Sequence, residues 1–142
     1  MKWTVMSELL AFFSQEWCHA ALDAVNSNPT IYAGLHEPAT FTNYMHFGTP
    51  SRPGFAVHLE WCEGRVVSWA PARFPEDDLW AMLNAEVDTW RVCAEQGESG
   101  SKLLMAGKIK LAKGPMNAAI QNAKALDEFL RTWGRVPTDW NV

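Results

Sequence analysis

The chain has 142 residues, 48% of them hydrophobic, and a formal net charge of −4. That length and composition fit one globular domain over residues 1–142 and exclude a disordered chain. The acidic balance argues against nonspecific nucleic-acid binding, and no apolar run reaches the roughly 20 residues of a membrane-spanning helix.

Eight tryptophans need a large core, a greasy cavity or an apolar surface to sit in. The three cysteines, Cys18, Cys62 and Cys93, are odd in number and form no CxxC pair. They read as reduced thiols of a cytoplasmic protein. The N-terminal run has no small-residue cleavage site, so no signal peptide is expected. Charge is uneven: residues 1–99 hold 5 Lys+Arg against 13 Asp+Glu, and residues 100–142 hold 7 against 3. The basic C-terminal third can attract an anionic head group or membrane surface.

In chain order, "SELLAFF" either extends the helix that follows or forms a turn of its own. "SQEWCHAALDAVNSNP" predicts that helix, with Ser14 as N-cap and Trp17, Ala21 and Val25 on one face. "IYAGLHEP" is ambiguous and allows a short second helix. The period then changes to two. "FTNYMHFG" is a strand candidate. "GFAVHLEWCEGRVVSWAP" predicts a hairpin turning at Glu63-Gly64, with Phe55, Val57, Leu59 and Trp61 on one face and His58 and Glu60 on the other. "DLWAMLN" predicts a further strand and "EVDTWRVCAEQG" a helix. "SKLLMAG" is a helical turn stopped by Gly107.

"KIKLAK" alternates, placing Ile109 and Leu111 opposite Lys108 and Lys110. It predicts a half-exposed strand whose lysines discourage edge pairing. "GKIKLAKG" lacks the GxxxxGK[ST] spacing of a phosphate loop. Pro115 then suits the first position of one long helix. Its apolar stripe runs from Met116 through Ile120, Leu126 and Phe129 to Trp133, and Gly134 ends it. "RVPTDWNV" reads as a tail.

"LLMAGKIKLAKGPMNAAIQNAKAL" resembles the C-terminal signature of the sterol carrier protein type 2 family, bacterial single-domain type. "FAVHLEWCEGRVVSWAP" is similar to that family's central hairpin, and "FFSQEWCHAALDAVNSNP" to its opening helix. The resemblance covers residues 12–138. It implies an α+β fold: a five-stranded, mostly antiparallel sheet covered on one face by helices, with an apolar tunnel between. It implies non-catalytic binding, and transport or presentation, of a sterol, fatty acid, acyl-CoA or similar lipid; no cofactor and no metal are expected. Trp61, Trp69, Trp80, Trp90, Met105, Ile109, Leu111, Met116 and Ile120 are the expected lining. Periodicity by itself leaves open whether that space is filled or hollow.

The rival reading is a small enzyme or an accessory subunit acting on a hydrophobic substrate. His58, Glu60 and Cys62 share one strand face, and His46 falls on a neighbouring strand. A Cys–His pair or metal site is geometrically conceivable there. No HExxH or GxSxG motif supports it. Trp3, Trp133 and Trp140 are candidates for a homodimer face or membrane contact.

Overall fold

The computed structural model describes residues 9–142. Trp3 and the start of "SELLAFF" lie outside the described residues. The described part of that stretch does not extend the helix: it is a two-residue strand followed by a turn, the second alternative, closed by the Ser14 N–H on the Ala11 carbonyl. β1 (Leu10–Ala11) pairs in parallel with a C-terminal strand at Thr138–Asp139, and Phe13 then turns the chain with a φ of 67°. α1 (Gln15–Asn26) follows, and the Ser14 side chain caps it by accepting from the Trp17 N–H. α2 (Pro29–Gly34) starts at once, with Asn28 as N-cap and Pro29 in its first turn.

The sheet holds β2 (Asn43–Gly48), β3 (Ala56–Cys62), β4 (Arg65–Pro71), β5 (Ala81–Asn84) and β6 (Lys110–Lys113) in the order β4-β3-β2-β5-β6. Every pairing is antiparallel except β2 with β5. The β3–β4 turn uses positive φ at both Glu63 (51°) and Gly64 (82°), the pair of values a two-residue hairpin requires. On β4, an outer strand, the Asn26 side chain donates to the Val66 carbonyl and accepts the Val66 N–H. It thereby stands in for a neighbouring strand.

The remaining helices are α3 (Val87–Gln96), α4 (Gly100–Met105), α5 (Met116–Gln121) and α6 (Ala123–Thr132). The single long helix expected from Pro115 to Trp133 is broken at Asn122, whose φ of −105° and ψ of 19° leave the helical region. Pro115 is the residue before α5, not its first turn. Gly134 does stand just past the end of α6, after its C-cap Trp133, but without the positive φ of a left-handed stop. It lies inside a 3-10 turn, Trp133–Arg135, where a Cβ would collide with the Ala94 carbonyl oxygen.

The core is an aromatic cluster between the sheet and the helices. Trp17, Trp90 and Trp133 are fully buried. Trp133 packs edge-on against Trp17 at 5.3 Å and beside Trp90 at 5.5 Å. Trp69 stacks on Phe129 at 5.5 Å. Trp133 is therefore a core residue and offers no surface to a partner. The predicted tail is docked: Trp17 Nε1 donates to Thr138 Oγ1 at 3.0 Å, and Trp140 packs on Phe12 at 4.5 Å.

Candidate functional site

Strand pairing sorts the sheet residues onto two faces. Met45 opposes Leu59 and Ala81, and Phe47 opposes Val57 and Leu83. These apolar pairs face the helices. His46 opposes His58 and Met82 on the other face.

On the helix side the aromatic cluster fills one end of the interior. Toward α5 the packing opens into two small apolar cavities. One, of about 60 Å³, lies under α5 between Trp80, Ala81, Leu83, Leu111, Ala118 and Ala119. The other, of about 50 Å³, lies between Ile31, Leu35, Trp61, Ala125 and Phe129. Phe41, Met45, Asn122 and Leu126 wall both. Asn122 brings an amide to these walls, and its polar atoms are satisfied. Its Oδ1 accepts from the His36 N–H at 2.8 Å and its Nδ2 donates to the Ala118 carbonyl at 2.9 Å. The same residue that breaks the helix thus ties the end of α5 to the loop after α2.

The expected lining residues separate into groups. Trp61, Trp80 and Leu111 stand on the cavity walls. Trp80 precedes β5 and packs against Phe41 at 5.7 Å. Trp69, Trp90 and Ile109 are buried in packed core and line neither cavity. Met105, Met116 and Ile120 are on the outer surface, 62%, 44% and 57% exposed. Phe41, Met45 and Leu126 were not among the expected lining. The alternation of Phe41, Met45 and Phe47 along "FTNYMHFG" is the signal that points to the first two, and Leu126 belongs to the apolar stripe of the C-terminal helices.

A wider groove of about 560 Å³ runs between α1, α2 and the β3–β4 turn, but Asn26, Glu63 and Arg65 are on its walls. Its walls mix apolar groups with charged and amide ones, so it suits an apolar ligand less well than the two cavities do.

On the opposite face, His46 Nδ1 lies 2.9 Å from His58 Nε2. His58 Nδ1 accepts the N–H groups of Arg73 and Phe74 at 3.0 and 2.9 Å. That fixes the tautomer: His58 carries its proton on Nε2 and donates it to His46, whose Nε2–H is left for Asn84. Phe74 stacks over His58 at 5.5 Å. Burial, with positive charge at His46 and Arg73 adding to it, pushes His58 down to about 4. Burial also lowers His46. Glu60 is engaged by Ser68 at 3.5 Å, and His58 is paired with His46 and backbone, not with Cys62. Burial raises the thiols of Cys18 and Cys93 to about 12 and about 11, far from a nucleophile's range. No group of three His, Cys, Asp or Glu side chains converges among the described residues.

No family model matches the sequence, and no curated protein matches it. Solved structures do. A crystal structure of sterol carrier protein 2 superposes with a TM-score of 0.73 at 19% identity, covering 88% of this chain and 98% of that one. A conserved hypothetical protein of Thermus thermophilus, described as possibly a sterol carrier protein, gives 0.70 at 18% identity, covering 90% and 91%. A ubiquinone synthesis protein, UbiJ-SCP2, gives 0.55 at 12% identity, covering 80% and 90%. With its β4-β3-β2-β5-β6 sheet, its helices on one face and these superpositions, the chain has the sterol carrier protein 2 fold.

Proposed function

We propose that the protein binds one hydrophobic ligand, a fatty acid, sterol, acyl-CoA or similar lipid, between the sheet and α5–α6, without chemical change to it. The observation that carries this reading is the pair of apolar cavities that share Phe41, Met45 and Leu126 as walls. Both are lined almost wholly by apolar atoms, as a lipid site must be. At about 60 and about 50 Å³ they fall short of the roughly 300 Å³ at which ligand pockets begin. Ligand entry therefore requires α5 to move outward and merge them. Trp61 Nε1, buried on a cavity wall, has no acceptor among the described residues. A ligand oxygen that accepted from it would relieve a real cost. The likeness to sterol carrier protein 2 structures supports a lipid as the ligand.

Titration with a fluorescent fatty acid or sterol analogue tests this. Saturable binding at one site per chain, with a change in tryptophan emission, is expected. Absence of saturable binding for every lipid class tried, with the fold intact, removes the reading.

The likeness to a ubiquinone synthesis protein supports a second reading, presentation of a hydrophobic substrate to an enzyme. Mass spectrometry of the apolar molecule that co-purifies with the protein separates the two. A membrane lipid favours transport, and a biosynthetic intermediate favours presentation.

A further inference from the structure

α5 is the most loosely held element over the cavities. None of its residues is buried, and the break at Asn122 parts it from α6. Across a groove of about 290 Å³ it faces α4, with Leu104, Met105, Ala119, Ile120 and Ala123 as apolar walls and Lys102 at the rim. Ala119 also lines the cavity beneath, so α5 is the layer between that cavity and the groove. Met105 and Ile120, on this groove, are large apolar side chains left in water, as is Met116 at the start of α5. Ordinary surface chemistry scatters such residues singly.

The charge of the segment that carries them is of one sign. Residues 100–124 contain Lys102, Lys108, Lys110, Lys113 and Lys124 and no Asp or Glu. Lys102, Lys108, Lys110 and Lys124 are exposed, and none has an ion-pair partner among the described residues. Lys113 donates to the Glu76 backbone carbonyl at 2.6 Å. The first acids of α6 are already engaged. Asp127 accepts from Ser99 and Ser101, and Glu128 pairs with Arg131 at 3.7 Å. The chain as a whole is acidic, so this segment is a local exception.

Exposed apolar tips on a segment of unpaired, exposed lysines match one kind of surface. A bilayer interface takes the tips among its acyl chains, while anionic head groups meet the ammonium groups. We propose that the α4–α5 face docks on an anionic lipid bilayer, and that docking draws α5 outward to open the cavity beneath it. The opening step rests on the ligand-binding reading given above; the docking step does not.

The test uses the whole protein and two vesicle types, phosphatidylcholine alone and phosphatidylcholine mixed with phosphatidylglycerol, with no added cavity ligand. Flotation should show binding to the mixed vesicles only, weakening as salt rises. The double variants Met105→Glu/Ile120→Glu and Lys102→Gln/Lys108→Gln should each weaken it about tenfold or more. All four positions are exposed, and melting curves verify that the fold is kept. Amide exchange across residues 116–121 should quicken on mixed vesicles; unchanged exchange would overturn the opening step. Three other results overturn docking: no binding of the unaltered protein at low salt, equal binding by the Met105→Glu/Ile120→Glu variant, or light scattering showing a dimer which that variant splits. Because vesicle binding is read without cavity ligand, failure of docking and failure of the ligand titration are separate outcomes.

Discussion

His58 donates its Nε2 proton to Nδ1 of His46 across 2.9 Å, while its own Nδ1 is occupied by two backbone N–H groups of the segment at Arg73 and Phe74. A second proton on His58 has no site unless those two bonds break. The pair is thus a neutral clasp that holds the loop after β4 onto the open face of the sheet.

The clasp predicts a definite pH dependence. His58 stands at about 4 when folded and returns to 6.5 when unfolded. As pH falls the unfolded chain takes the proton first, so stability from this group is complete above about 6.5 and drains away toward about 4. The loss amounts to up to about 3 kcal/mol. Urea midpoints measured across that window should fall steeply for the unaltered protein. They should fall less for His58→Gln, which keeps an acceptor that does not titrate. Parallel curves for the two proteins would show that His58 does not carry the effect.

The cavity predicts opposite outcomes for neighbouring residues of α5. Ala118 faces the space under the helix, so Ala118→Leu should abolish uptake of the fluorescent lipid. Its cost in stability should stay under about 1 kcal/mol, since the new carbons enter a void. Ile120 is 57% exposed on the groove side, so Ile120→Trp should leave both ligand uptake and melting temperature nearly unchanged. Loss of uptake in the second variant but not the first would place the ligand outside the cavity described.

Gly134 predicts a backbone penalty. Its missing side chain lets the 3-10 turn lie against the Ala94 carbonyl, and any Cβ there collides with that oxygen. Neither partner is the flexible end of a side chain, so α3 must shift. Gly134→Ala should cost about 1–3 kcal/mol, as overpacking does. A thermal melt checks it; an unshifted midpoint would mean that the turn can relax.

Several elements were legible in the residues alone. The hairpin was, because Val57, Leu59 and Trp61 alternate with His58 and Glu60, and Glu63-Gly64 can adopt the left-handed turn. α1 was, because Ser14 and the Trp17–Ala21–Val25 face mark its start and its buried side. Such signals are local: the period of a helix or strand is set by neighbours along the chain. From them the five-stranded α+β architecture followed once the order of elements was compared with a known family.

Tertiary structure alone decided the rest. The apolar stripe from Met116 to Trp133 has helical spacing throughout, yet Asn122 breaks it. The bond to His36 that ties Asn122 across the fold joins residues 86 apart in sequence. The tail docks because Thr138 meets Trp17, a pairing 121 residues apart. The His46–His58 clasp depends on the register of β2 against β3, and one residue of slip would send both rings to the other face. Hydrophobicity likewise does not tell a packed tryptophan from a cavity wall. Trp90 and Trp61 are the same residue type, each on the apolar side of its element; only the position of α5 and α6 above the sheet leaves space beside Trp61 and none beside Trp90. Periodicity reports which side of an element is apolar, whereas volume is a property of the elements facing each other across the core.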